Sequence, residues 1–221
     1  MSDQRLSLIH LLHLASPALP VGAYAYSQGL EFAIEELKLD HEEIADWLRD
    51  GLELGLANLE LPIIFRAFSA LDELDNTRLD LLNDELLAFR ETEELLLEDQ
   101  QMGSALQRLL LALEIETPVF RQKPAYALMF AVAAQHHGID ADNACLGYGF
   151  SWLENQVTAA TKLVPLGQSD AQRLLLELAR CIPGACQRAK TVPDEGLGLS
   201  LPGLSLASAG HEYQHTRLFR S

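Results

Sequence analysis

The sequence predicts an all-α protein, a single-domain helical bundle of about eight to ten helices with a partly flexible C-terminal tail. Apolar residues recur at steps of three and four along most of the chain, the signature of amphipathic helices. No segment alternates apolar and polar residues over a strand's length, and leucine dominates where β-branched runs would be needed for a sheet. At 221 residues and 48% apolar content, the chain can bury a substantial core.

The first helix is expected over 6–15, ended by Ser16-Pro17 and Pro20-Val21-Gly22. Ser27 is placed to cap a short second helix reaching about residue 37. A third starts near Glu42, with Ile44, Leu48, Leu52 and Leu56 at steps of four. Pro62 either interrupts that pattern or opens the next helix, which runs to about Leu74 before an Asp75-Asn76-Thr77 turn. Residues 79–113 read as one long helical stretch with a break expected near Gly103. Pro124 suits the first position of a helix ending before Gly138. The clearest helix spans about 143–164, where Leu146, Phe150, Leu153, Val157, Ala160 and Val164 form one stripe and Asn155, Thr158 and Lys162 lie off it. Ser169 and Gln172 read as a capping box for a helix that stops at Pro183-Gly184. Gly, Pro and Ser punctuate 191–203, so the chain divides into a helical domain over 1–190 and a linker with C-terminal tail over 191–221, where 204–219 could form a short helix.

Composition narrows the function. Sixteen basic residues against 32 acidic ones leave a net charge of −16, which opposes nucleic acid as a partner and favours basic ones. The longest apolar run, 125–134, is about half a bilayer span, so no membrane helix is expected. His10 and His13 interrupt the apolar N-terminal stretch, which argues against a signal peptide. Three cysteines without CxxC spacing, Cys145, Cys181 and Cys186, read as reduced thiols in a cytoplasmic protein, with Cys181 and Cys186 buried or inert rather than nucleophilic.

One motif carries chemistry on its face. His211-Glu212-Tyr213-Gln214-His215 is a literal HExxH, which on a helix sets two imidazoles one turn apart to share a zinc, with a glutamate as base. A zinc-dependent hydrolase using His211, Glu212 and His215 is therefore the alternative function. Against it, a third ligand must come from upstream, and no edge strand exists to hold a peptide substrate. His10 and His13 read as histidines at the core's edge, and His136-His137 as a helix C-terminus. The acidic run 91–99 reads as a solvated helix face. None of the four lysines follows a glycine, so no phosphate-binding GK[ST] loop exists, and GxSxG is absent. No catalytic residue and no metal site is assigned.

Three segments together resemble the urease accessory protein UreF family: residues 14–31 (LASPALPVGAYAYSQGLE), 150–168 (FSWLENQVTAATKLVPLGQ) and 211–221 (HEYQHTRLFRS). A weaker match covers 90–95 (RETEEL) and 101–103 (QMG). Two positions depart from the family pattern: Ala23 replaces a usual glycine, and Gln122 and Lys123 stand where a histidine is frequent.

The resemblance implies an all-α homodimer without catalytic activity or cofactor. It would bind the accessory protein called UreD or UreH and recruit the nickel-carrying GTPase UreG onto apo-urease, coupling GTP hydrolysis to nickel delivery. It implies that Glu31 and Lys162 serve the interplay with the GTPase, and that Arg217, Leu218, Phe219, Arg220 and Ser221 engage the UreD-type partner. Gln168, Arg173, His211 and Tyr213 complete the partner-binding set it implies.

Overall fold

A computed structural model describes residues 4–221. Its α-helices are α1 (Gln4–Leu14), α2 (Leu30–Glu35), α3 (His41–Asp50), α4 (Glu60–Asp72), α5 (Asn76–Ala88), α6 (Glu93–Ala112), α7 (Tyr126–His136), α8 (Ala141–Leu163), α9 (Gln168–Leu178), α10 (Ile182–Ala189) and α11 (Pro202–His211). Helical turns join α3 to α4 and α9 to α10, which leaves nine helical bodies, and there is no strand among the described residues.

The bundle is built around α7. Its sequence YALMFAVAAQH is apolar on every side as far as Ala134, and a helix apolar all round must be enclosed. Residues 126–134 are all buried, with α4, α6 and α8 packed against them. Tyr126, Phe130 and Tyr148 meet edge-on or tilted at the α7–α8 contact, the geometry that aromatic quadrupoles prefer. The 143–164 stripe lies on α8 as expected, with Leu153, Val157 and Ala160 buried.

Ile44, Leu48, Leu52 and Leu56 are all buried, although strict steps of four drift around an α-helix. The backbone absorbs the drift by widening into a π-turn over Gly51–Gly55 and then tightening into a 3₁₀ turn over Leu56–Asn58. Pro62 then falls in the first turn of α4, where its missing N–H costs nothing. The stretch His41–Asp72 is long and apolar enough to cross a bilayer, but most of its apolar window is buried in this core.

Several boundaries differ from the sequence expectation, each for a local reason. The long stretch breaks at residues 89–92, not at Gly103, because Thr92 caps α6 by accepting the Leu95 amide. Gly103 sits mid-helix to allow close approach: a Cβ there would lie 2.0 Å from the Pro124 carbonyl oxygen. Asp75 caps α5 rather than forming a free turn. Pro124 precedes α7, whose N-cap is Ala125. The Ser169 capping box does not form, since α9 already begins at Gln168 behind Gly167. Pro183 opens α10 instead of ending α9, being placed in a first turn. Ser27 is not the N-cap of α2: Gly29 takes that position at φ 76°, and a Cβ on it would sit 2.9 Å from the Ser208 amide nitrogen where α11 crosses.

The α1 histidines are less enclosed than expected. His13 is exposed, and His10 is half-buried with its ring stacked on His137, centroids 4.1 Å apart. Burial and the neighbouring imidazoles depress His137 to about 4. The outer face of α1 exposes Leu6, Leu8, Ile9 and Leu12, each more than half accessible.

The close packing at Gly103 and the open space at Gly184 give a paired prediction. Gly103→Ala should destabilise the fold by about 3 kcal/mol through overpacking against backbone. Gly184→Ala, where a Cβ meets nothing within 4 Å, should be neutral or stabilising by about 0.5 kcal/mol. Urea denaturation of the two variants checks both, and equal midpoints would contradict the close approach at Gly103.

Candidate functional site

The last eleven residues fold back onto α2 and α6, and buried carboxylates hold them there. Glu31 lies in the first turn of α2 and is 1% exposed. Its Oε1 accepts the Leu218 amide at 2.6 Å, and its Oε2 accepts the Phe219 amide at 2.9 Å and faces His211 Nε2 at 3.1 Å. The other ring nitrogen of His211, Nδ1, lies 2.7 Å from Glu94 Oε2. Glu94 Oε1 accepts from the Arg217 guanidinium at 2.6 Å. The His211 ring thus bridges Glu31 and Glu94, and Glu94 joins it to Arg217.

Beyond this clasp the tail pairs with the chain that precedes α2. The Arg220 amide donates to the Ala25 carbonyl, and both the Ser27 amide and hydroxyl donate to the Ser221 carbonyl at 2.8 and 2.6 Å. The Ser221 hydroxyl donates to Glu98 Oε2 at 2.7 Å, and Gln28 Nε2 donates to Glu98 Oε1 at 2.8 Å. Gln28 is itself oriented by the Trp152 indole N–H, at 2.8 Å. Burial nevertheless pushes the Glu98 carboxyl up to about 7, outweighing the bonds from Ser221 and Gln28.

Next to Glu98, Asp99 organises the core. Its Oδ2 is held by the Arg90 guanidinium at 2.8 and 2.9 Å, and Arg90 also meets Glu60 at 2.7 Å. Asp99 Oδ1 accepts the Tyr126 amide at 2.6 Å, and Asn83 Oδ1 accepts the Ala125 amide at 2.7 Å. The first amides of α7, which has no cap of its own, are thus satisfied from α5 and α6. Glu60, Arg90, Glu98, Asp99, Tyr126 and Tyr148 line a small cavity of about 50 Å³. It adjoins a wider one of about 300 Å³ between Trp47, Trp152, Phe89 and the 199–204 segment.

The structure gathers part of the sequence-predicted set. Glu31, His211, Arg217, Leu218 and Phe219 form the clasp, and Lys162 at the end of α8 rests 5.2 Å over the Phe219 ring. Arg220 and Ser221 continue beside 25–27. Gln168 and Arg173 stand exposed on α9, where Arg173 pairs with Asp170, and the exposed Tyr213 side chain takes no part in the clasp among the described residues.

The acidic run is not simply a solvated face: Glu98 and Asp99 are buried and Glu94 is half-buried. The signal was present, because both buried acids fall on the apolar stripe that carries Leu95, Met102, Leu106 and Leu110. HExxH does not form a helical pair: α11 ends at His211, residues 212–213 turn, and His215 is exposed beyond them. Among the described residues, no group of three or more His, Cys, Asp or Glu side chains is arranged to hold a metal. The thiols of Cys145 and Cys186 are buried, and burial raises Cys186 to about 11.

Two predictions follow from the buried carboxylates. Glu31→Ala strands two amides and an imidazole, so it should cost about 3 kcal/mol and speed hydrogen exchange at Leu218 and Phe219. Unchanged exchange at those amides would contradict the clasp. Glu98 has a folded-state value above its ordinary one, so its contribution is fully present below about 4.5 and is lost as pH rises through about 7. Glu98→Gln removes that loss. It should raise stability relative to wild type by about 2–3 kcal/mol at pH 8 and by much less at pH 5, as read by urea titration at each pH.

Comparison with known proteins bears on the whole of this arrangement. The sequence profile of the UreF family matches residues 39–179. The urease accessory protein UreF of Teredinibacter turnerae is 46% identical over 218 residues, covering 97% of this chain and 98% of that protein. The UreF proteins of Marinomonas sp. and Chromohalobacter salexigens are 46% and 47% identical, over 97% and 98% of this chain and 94% and 95% of their own lengths. Because the profile matches more than half of the chain and these relatives align with nearly all of it, the chain belongs to the UreF family of urease accessory proteins.

Proposed function

We propose that this protein is a non-catalytic, cytoplasmic scaffold in urease maturation. It recruits and modulates the nickel-carrying GTPase UreG on the complex of UreD or UreH with apo-urease while nickel is incorporated. The clasp is the observation that supports this reading best. It commits the buried Glu31 and the half-buried Glu94 to fixing 211–219, an arrangement that makes sense if the tail is presented to a partner. The fixed tail leaves Arg217, Leu218 and Arg220 outward, with Lys162 beside them. We read residues 191–221 as the docking segment and 1–190 as the body that carries it.

The same reading includes a homodimer and no cofactor of the chain's own. The apolar outer face of α1 supports association, since four neighbouring side chains more than half exposed form a surface that a second copy would cover.

Tagged protein should co-purify with a UreD-type partner from cells expressing the urease operon. Deleting 218–221 should weaken that capture, but Phe219 and Ser221 are buried, so Leu218→Ala at an exposed position is the cleaner test. It should weaken capture several-fold while leaving the melting temperature unchanged. Lys162→Ala should keep the fold and lower urease activation in cells. Full capture by Leu218→Ala together with full activation by Lys162→Ala would remove the tail and its neighbour from the docking surface.

A further inference from the structure

An open groove of about 730 Å³ runs between α6, residues 21–26, the end of α8 and residues 218–220. Four of the chain's sixteen cationic side chains line it: Arg108, Lys123, Lys162 and Arg220. No Asp or Glu lines it, in a chain that carries 32 of them. Random placement on a surface with twice as many acids as bases would not leave such a wall free of carboxylates.

Elsewhere some arginines close on acids, as Arg49 does on Asp46, Arg66 on Asp194 and Arg121 on Asp84. None of the four groove cations has an ion-pair partner among the described residues; Lys162 is steadied instead by the Phe219 ring. The Arg220 side chain bonds the Tyr26 hydroxyl, which in turn donates to Gln101 at 2.8 Å. Lys162 and Arg220 are thus held by neutral groups, and no carboxylate pairs with any of the four among the described residues. Between them stand two exposed apolar side chains, Tyr24 at 67% and Leu218 at 61%.

We propose that this groove is the docking site for an acidic, leucine- or aromatic-bearing segment of a protein partner, bound in extended form. The proposal rests on the scaffold reading above and specifies the chemistry of the partner's contact. A row of separated cations with apolar side chains between them matches alternating carboxylates and hydrophobes along a peptide. A single phosphate would instead need donors converging on one point. A bilayer or nucleic acid must approach the whole molecule, whose charge of −16 repels both, whereas a short segment meets only the groove.

The test uses the full chain and a fluorescein-labelled decapeptide of alternating glutamate and leucine, followed by fluorescence anisotropy. The R108E/K123E variant changes two exposed side chains and should melt like wild type. It should bind the peptide at least about tenfold more weakly, and wild-type affinity should fall as salt rises from about 50 to 300 mM. An R78E/R188E variant, reversed at two exposed arginines outside the groove, should bind as wild type does.

Equal binding by R108E/K123E, or no binding by wild type, overturns the proposal. So does displacement of the peptide by millimolar inorganic phosphate or capture of the protein by phosphatidylserine vesicles. The scaffold reading fails separately, if the full chain captures no maturation partner from operon-expressing cells. If partners are captured equally by wild type and R108E/K123E, that reading stands and the groove is excluded as their contact.

Discussion

A carboxylate taken out of water must be given donors, and this fold is largely the set of answers to that demand. Glu31, Glu60, Glu98 and Asp99 are each less than a tenth exposed. Left alone, each would cost several kcal/mol. Asp99 and Glu60 are answered by Arg90 and by the start of α7, which ties α4, α5 and α6 to the central helix. Glu31 is answered by the tail's own backbone and by His211. Glu98 is answered least well and keeps a carboxyl that titrates near neutrality. Most of these donors come from a distant part of the sequence, Arg90 to Asp99 being the local exception, so these polar bonds help determine which helices meet, while apolar burial supplies most of the driving force.

This division explains what could be read in advance. Helices, the all-α class and the α8 stripe were legible because a 3.6-residue period is written locally. Boundaries were less so. The break at 89–92 and the persistence of α6 through Gly103 depend on Thr92 and on the approach of Pro124, neither visible as periodicity. The buried acids were misread because charge alone says solvent; only their position on an apolar stripe says otherwise. HExxH, the alternative weighed against the scaffold reading, fails for the opposite reason. A local motif presumes that its helix continues, and α11 ends at its first histidine, which Glu31 and Glu94 have already claimed.

The distribution of charge has the same logic on the outside. Acids outnumber bases two to one, and surface cations such as Arg121 and Lys190 close on a carboxylate at little energetic gain. Lys162 and Arg220, beside the tail, are held instead over an aromatic ring and against a phenol. The clasp below and the basic groove above share residues 218–220, so ordering the tail and assembling that surface are one event.

Glu31 grips the tail through main-chain amides, at Leu218 and Phe219, and not through what those residues carry. Any residue but proline offers the same N–H. The anchor is therefore blind to side-chain identity at 218, while the outward face of that residue is free to be chosen by whatever it touches. Natural selection could retune the specificity of such a terminus, one exposed side chain at a time, without disturbing the hook from which it hangs.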